Sequence, residues 1–297
     1  MTVSSEVEAS RREGTELADH DWTTTIRPEG RWFDLRLREL WSYRGLVFLF
    51  IRRDMVAQYQ QTILGPLWHV VVPLLTTLTF TLVFGRIARI STDGLPPFLF
   101  YLSGNVVWGY FNSSFTKTSN TFVANAGVFG KIYFPRLAVP LSVLGTSLIG
   151  FMIQFGIFVG FLFYFMARGA DVHPNAWVMG TPVLLLLMAA IGLGCGILLS
   201  AFTSRYRDLV NVVSFGASLL MYMTPVVYPL STVPAAYRPI VMANPITPIV
   251  EAFRYAFLGV GTISVAHLTY AAAVAVAIVV CGVLVFHRIE RTFMDTV

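Results

Sequence analysis

Two charged residues stand out in an apolar part of the sequence because they have the spacing of an ion pair. Glu251 and Arg254 are three positions apart, so on a helix their side chains lie on one face and can pair. Such a pair can hold two charges in apolar surroundings, or it can contact a polar substrate directly. The sequence leaves both roles open.

Aromatic side chains are dense in two apolar runs, and their flat faces can stack on the rings of a sugar. Aromatic residues make up 14% of the chain. We expect most of them to pack or to form belts at the membrane interfaces. A subset could line a path for a carbohydrate, and the candidates are Trp108, Tyr110, Phe111 and Phe155.

The sequence lacks the motifs that bind nucleotides or catalytic metals. It contains no G-x-x-x-x-G-K-[ST] phosphate loop, no H-E-x-x-H motif and no paired cysteine or cysteine–histidine spacing. The apolar runs have no acidic residue near their centres, which an ion-coupled carrier usually needs. We therefore expect neither an enzyme nor a bound metal or cofactor, and active transport would need an energised partner.

The elements that hold these residues are long apolar runs. Hydrophobic residues make up 56% of the 297 residues and charged residues 12%, whereas a typical soluble domain is about 25% charged. A soluble fold could not bury so much apolar surface, but lipid accepts an apolar exterior. We predict an all-α membrane protein with six transmembrane helices, at about residues 66–88, 97–115, 137–166, 177–202, 209–228 and 264–286.

The basic residues predict the orientation of these spans. With both termini in the cytosol, most of the 21 lysine and arginine residues fall on the cytosolic side of the cytoplasmic membrane, as the positive-inside rule requires. They lie between apolar runs and not on one polar face, so they do not indicate nucleic-acid binding. Residues 1–30 are polar and predict a disordered cytosolic tail, and residues 31–297 predict one transmembrane domain.

Three segments do not fit a membrane crossing. Residues 31–44 separate apolar from charged side chains, which is typical of an amphipathic helix at the membrane surface or against another subunit. Residues 229–262 are apolar but rich in proline, so we predict two short helices that re-enter the membrane from the outer side. The connector 116–136 has basic and aromatic side chains that could dock on a partner.

Several short motifs, taken in order, resemble the membrane subunit of polysaccharide-exporting ABC transporters, the type-2 exporter permeases. Each motif is weak alone, but their order and spacing over about residues 32–297 are specific. They are Arg53-Asp54, Tyr59-Gln60-Gln61-Thr62-Ile63-Leu64-Gly65-Pro66-Leu67-Trp68, Lys131-Ile132-Tyr133-Phe134-Pro135-Arg136, Tyr206-Arg207-Asp208, Thr224-Pro225-Val226-Val227-Tyr228-Pro229, Asn244-Pro245, Glu251-Ala252-Phe253-Arg254 and Glu290-Arg291-Thr292-Phe293.

The resemblance implies a homodimer of this chain, bound to two copies of an ABC ATPase subunit that holds ATP and Mg. The polymer channel would run between the two permeases. The resemblance also implies that 31–44 is the interface helix and that 229–262, with Glu251 and Arg254, is the outer re-entrant pair. The residues implied in coupling to the ATPase are Arg38, Lys117, Lys131, Tyr133 and Arg136.

The function that these features favour is export of a lipid-linked polysaccharide of the O-antigen, capsule, teichoic acid or galactan type, for example in lipopolysaccharide biosynthesis. One alternative is an exporter of a drug or small lipid from the same family. Another alternative, of a different class, is an integral-membrane transferase acting on lipid-linked sugars. The transferase would need clustered acidic residues or a metal site at one membrane face.

Overall fold

The computed structural model of the protein describes residues 41–60, 62–125, 127, 134–203, 206 and 208–294. Contacts divide the chain into Met1–Leu35 and Arg36–Val297, and all described residues belong to the second unit. The predicted tail and most of the predicted interface helix lie outside the described residues. The same holds for Arg38, Lys131 and Tyr133.

The described residues are mostly helical and contain no β-strand, which confirms the predicted all-α class. Short helical turns at Gly65–Leu67, Thr121–Ala124, Ala176–Gly180 and Leu230–Thr232 lie between the longer helices. The longer helices are α1 (Arg44–Tyr59), α2 (Trp68–Phe80, continued by a π-helix over Thr81–Ile87), α3 (Pro97–Ser119), α4 (Ala138–Ala167), α5 (Thr181–Thr203), α6 (Leu209–Met223), α7 (Arg238–Ala243), α8 (Thr247–Leu258) and α9 (Val265–Met294).

Within the described part of the chain, four helical segments are long and apolar enough to cross a membrane. They coincide with the predicted first, third, fourth and sixth spans, and they are Gly65–Ile87, Ala138–Ala167, Ala176–Thr203 and Val265–Phe286. The predicted third span is long, as expected: α4 has 30 residues and extends about 45 Å, against about 30 Å for the hydrocarbon core.

The other two predicted spans differ from a simple apolar crossing. The second lies in α3, which has 23 residues but includes polar side chains such as Asn105 and Asn112. The fifth lies in α6, whose 15 residues are fewer than the roughly 20 that a perpendicular crossing needs. The predicted span extended to residue 228, but the helix ends at Met223, because the residue before Pro225 is disfavoured in a helix. The total of six spans stays a prediction.

The predicted break between spans five and six is present as two short helices, α7 and α8. Each has a proline in its first turn, Pro239 in α7 and Pro248 in α8. A proline is tolerated there because the first N–H groups of a helix have no partner within the helix. Re-entry of these helices into the membrane stays a prediction.

Three glycines of α5 allow two neighbouring helices to approach it closely. Gly192 and Gly196 face α3. A Cβ at Gly192 would lie 3.0 Å from the Cβ of Ser114, and a Cβ at Gly196 would lie 3.0 Å from the carbonyl oxygen of Phe115. Gly194 lies on the opposite face, against the backbone of α9. Small residues at such positions let transmembrane helices pack backbone to backbone, so α5 is held between α3 and α9.

Candidate functional site

Arg254, in the middle of α8, is the largest polar side chain in the buried interior. Only 2% of its surface is exposed. Its Nη1 donates a hydrogen bond to the carbonyl oxygen of Pro225, and its Nη2 donates one to the carbonyl oxygen of Val226 at 2.6 Å. Its guanidinium carbon lies 3.8 Å from the centroid of the Phe100 ring. The cation is therefore stabilised by two carbonyl dipoles and an aromatic face.

Glu251 lies one helical turn before Arg254 and is also buried. Its Oε1 lies 3.6 Å from Nη1 of Arg254, and its Oε2 accepts a hydrogen bond from the backbone N–H of Thr262 at 3.2 Å. Burial raises the pKa of Glu251, and the charge of Arg254 opposes that rise. The two residues share a face of α8, and the contacts described for both are with the protein.

Gly104 of α3 provides the space that the guanidinium occupies. A Cβ at this position would lie 2.8 Å from Nη2 of Arg254 and 2.9 Å from the carbonyl oxygen of Val226. We call the six residues that meet here the Arg254 cluster. Its members are Phe100, Gly104, Pro225, Val226, Glu251 and Arg254.

A second polar contact joins the end of α6 to the segment before α8. The side-chain nitrogen of Asn244 donates to Oγ1 of Thr224 at 2.8 Å. The same Thr224 hydroxyl donates to the carbonyl oxygen of Leu220 at 2.8 Å within α6. Thr224 is fully buried, so this contact and the Arg254 cluster fix the turn after α6 from two sides.

The four candidate path aromatics do not lie together. Trp108 and Phe111 are 5% and 1% exposed, and their ring centroids are 5.2 Å apart in the core. Tyr110 and Phe155 instead line an apolar groove of about 590 Å³ between α3, α4, α5 and α8. Tyr110 is itself only 5% exposed and Phe155 is half-buried, so of the four candidates these two share the groove and Phe155 is the more exposed.

A second apolar groove, of about 390 Å³, lies between α3, α5 and α6. Its lining includes Phe115 of α3, Phe202 of α5 and Val213 of α6. Only Val213 and Ala217 of α6 are buried. Along the rest of its length the helix has few buried contacts within its own chain, in contrast to its end at Thr224.

Of the candidate coupling residues, Lys117 and Arg136 lie in the described part of the chain. Lys117 is exposed near the end of α3, and Arg136 is half-buried before α4. A neighbouring contact was missed by the sequence reasoning. Nη2 of Arg53, in α1, donates to Oδ1 of Asn125 in the connector at 2.9 Å and pairs with Asp54 at 2.8 Å. The adjacent opposite charges of Arg53 and Asp54 were the signal in the sequence that could have indicated this contact.

The family assignment follows from a comparison with known protein families. The family model described as ABC-2 type transporter matches residues 45–258, which include α1 to α8 and the whole Arg254 cluster. The chain belongs to the ABC-2 type transporter family. The resemblance predicted from the motifs is therefore confirmed, and the chain is an integral membrane transport permease.

The relatives of this ABC-2 chain are permeases. The O-antigen export system permease protein RfbA of Klebsiella pneumoniae is 27% identical over 251 residues, which are 84% of this chain and 94% of the relative. The protein of the same name in Myxococcus xanthus is 28% identical over 263 residues, 88% of this chain and 98% of the relative. The inner membrane transport permease YadH of Escherichia coli K12 is 24% identical over 201 residues, 64% of this chain and 76% of the relative.

Proposed function

We propose that the chain is the membrane subunit of an ABC transporter that exports a lipid-linked polysaccharide across the cytoplasmic membrane. The observation that carries this proposal is the nearly full-length similarity to O-antigen export permeases, of which the chain covers 94% and 98%. The proposed glycan is of the O-antigen, capsule, teichoic acid or galactan type. The proposed topology has six spans, with both termini in the cytosol.

Energy comes, in this proposal, from a separate ATPase subunit that holds ATP and Mg. The absence of a phosphate loop from the sequence supports this division of labour. The ATPase docks on the interface helix at 31–44 and on the connector 116–136. The hydrogen bond from Arg53 to Asn125 supports the role of the connector, because it joins α1 to the same segment.

Two copies of the chain form the transporter and enclose the polymer path. The exposed apolar faces of α2 and α6 support this part of the proposal. In an 18-residue apolar stretch of the span that contains α2, only 6% of the residues are buried, against 22%, 50% and 17% in the corresponding stretches of the other three apolar spans. Large exposed side chains on the two helices are Val72, Leu75, Leu78 and Leu82 in α2 and Val212, Phe215 and Leu219 in α6. A second copy would cover these faces.

Reconstitution of the chain with its ATPase in lipid vesicles tests the function. We expect ATP-dependent transfer of lipid-linked glycan to the opposite leaflet when both subunits are present, and none with either alone. The measurement is the fraction of glycan that becomes accessible to an added lectin. Transfer by the purified chain alone with ATP would contradict the division of labour. No transfer by the complex would contradict the proposed substrate.

Loss of the contact between Arg53 and Asn125 should weaken the coupling of the ATPase to transport. We expect Arg53→Ala to lower ATP-driven transport about three- to tenfold, the factor for one lost hydrogen bond, with little change in folded protein. Asn125→Ala should have the same effect, and the double variant should add little. Arg52→Ala is the matched control, because Arg52 is exposed and makes no hydrogen bond with the described residues. An equal loss with Arg52→Ala would show that only surface charge matters.

The two pairs of path aromatics should respond differently to truncation. Trp108→Ala should cost about 3–5 kcal/mol of folding free energy, because it empties a core site, and transport should fall in proportion to the folded protein. Phe155→Ala also removes ring contacts with Phe151 and Phe257, so some folded protein should be lost, but transport per folded molecule should fall as well. Monodisperse protein and transport are measured on the same samples. Unchanged transport per molecule with Phe155→Ala would remove the groove from the path.

A further inference from the structure

The outer end of α6 is completed by a side chain from a distant part of the chain. The helix ends at Met223, and the carbonyl groups in the turn that follows need donors because little water reaches them. Arg254 supplies two N–H groups to the carbonyls of Pro225 and Val226, from 29 and 28 positions away. The hydrogen bond between Asn244 and Thr224 adds a second contact of the same kind.

Within its own chain, the rest of α6 makes fewer buried contacts than this end. Among its residues, Val213 and Ala217 alone are buried, and the groove of about 390 Å³ lies between it and the helices α3 and α5. The N-terminal end of α6 directly follows residues 203–208, which join α5 to α6 and lie on the cytosolic side in the proposed topology. A helix that is fixed at one end and has a groove beside it can tilt about that end relative to α3 and α5, together with the second copy that would cover its exposed face.

We infer that Arg254 is a positioning residue that joins the outer end of α6 to α8, so that a tilt of α6 is passed to the outer segment 229–262. This inference rests on the proposed function, since the ATPase would drive the tilt from the cytosolic side. The outer segment would then change the exit of the polymer path. Arg254 acts through the protein backbone, without touching the substrate.

An arginine is needed at this position because of the shape of its side chain. The planar guanidinium presents parallel N–H groups that can reach two successive carbonyls while its face lies on an aromatic ring. An ammonium group is a compact charge on a flexible stem, and it cannot hold this arrangement flat against Phe100. Arg254→Lys therefore keeps the positive charge beside Glu251 and removes the double contact with the turn.

The first experiment measures the distance between α6 and α7 in the absence of substrate. Spin labels are placed at the exposed positions Ser218 on α6 and Ile240 on α7, in a chain in which Cys195 and Cys281 are replaced by alanine. In the complex with the native Arg254, we expect one narrow distance distribution with and without ATP. In Arg254→Lys, we expect a broadened or double distribution once ATP is added. An unchanged distribution in Arg254→Lys would overturn the inference.

The second experiment measures glycan exported per ATP hydrolysed by the reconstituted complex. We expect Arg254→Lys to lower this ratio about tenfold while ATP hydrolysis per complex changes less than about twofold, since two charge-assisted hydrogen bonds are lost. A merely structural role would lower export and hydrolysis together, and that result would overturn the inference. Tyr270→Phe is the matched control, because it removes a hydrogen bond to Ala243 outside the cluster, and its ratio should match the native complex.

Two further outcomes keep the test decisive. If Arg254→Lys does not fold, Phe100→Leu takes its place, because it removes the aromatic face on which the Arg254 guanidinium lies and conserves an apolar side chain. It should broaden the distance distribution in the same way, and an unchanged distribution would overturn the inference. If the native complex exports no glycan, the proposed substrate fails, while the distance measurement still decides whether Arg254 joins α6 to the outer segment.

Discussion

Replacing Gly194 with leucine is expected to remove nearly all folded protein from the membrane. A Cβ at Gly194 would lie 2.9 Å from both the carbonyl carbon of Ile278 and the amide nitrogen of Val279. These are backbone atoms of α9, so no side-chain rotation relieves the clash. Overpacking a core costs about 1–3 kcal/mol where neighbours can shift, and the cost is larger here because two whole helices must separate.

The consequence is severe because α5 and α9 form the most extensive contact between described helices. Gly282 of α9 makes the reciprocal approach, with the position for its Cβ 2.9 Å from the carbonyl oxygen of Gly194. Separating these helices exposes a long seam and also shifts α5 against α3. We expect Gly194→Leu to give aggregated protein on size exclusion, and Gly194→Ala to give a lower thermal midpoint.

Gly156 of α4 provides the matched control for this prediction. It lies in a long apolar helix like Gly194, but a Cβ there would meet no atom within 4 Å. Gly156→Leu should therefore fold normally, and its thermal midpoint should be unchanged or raised because leucine favours a helix more than glycine does. Equal yields of monodisperse protein from both leucine variants would show that α5 and α9 can separate without cost.

The class of the fold and most helices were predictable because their signals are local. Apolar runs of sufficient length predict membrane helices, and the proline-rich composition of 229–262 predicts a broken segment. Helix ends follow from local chemistry as well. The Thr224-Pro225 pair accounts for the end of α6 at Met223, and this signal was present in the sequence although the predicted span extended past it.

The partners of the buried residues were not predictable, because they come from distant parts of the chain. Arg254 contacts Phe100 of α3 and the turn after α6, and the sequence carries no periodic or spacing signal for either contact. The same applies to Gly104, whose importance appears only when the guanidinium is seen beside it. Sequence reasoning could find the pairing of Arg254 with Glu251 because that contact spans a single helical turn.

The separation of the path aromatics was partly predictable from helical geometry. Residues of an α-helix are about 100° apart, so Trp108 and Tyr110 point to nearly opposite sides of α3. Both could not face one surface, and although both side chains are only 5% exposed, Tyr110 alone of the two lines the groove. Which of the two sides is open depends on the neighbouring helices, and that information is absent from the local sequence.

Replacing Arg254 with methionine is expected to destabilise the protein more than replacing both members of its ion pair. Arg254→Met leaves the Glu251 carboxylate buried without its cation, and breaking a buried pair in this way costs about 3–5 kcal/mol. Adding Glu251→Gln removes the remaining charge and keeps an oxygen that can accept from the Thr262 amide. The double variant should recover about half of the loss or more. Thermal unfolding in detergent measures all four proteins of the cycle.

The pH dependence of Arg254→Met provides a second measurement with a defined sign. Burial raises the pKa of Glu251, and Arg254 no longer opposes this rise in the variant. An acid with a raised pKa in the folded state loses stability as pH rises above its unfolded pKa of about 4.3. The thermal midpoint of Arg254→Met should therefore increase when the pH falls from about 8 to about 5.5, and the double variant should lack this increase.

The same four proteins distinguish the effect of Arg254 on stability from its effect on the glycan exported per ATP. Glu251→Gln should restore the stability of Arg254→Met without restoring the glycan exported per ATP, because the carbonyls of Pro225 and Val226 still lack their donors. Recovery of export together with stability would mean that Arg254 serves only to neutralise Glu251. If the single variant Glu251→Gln exports normally, transport does not depend on the charge of Glu251. Its Arg254 would still contact both carbonyls and the Phe100 ring. The contact that matters for transport is then the one between α8 and the end of α6.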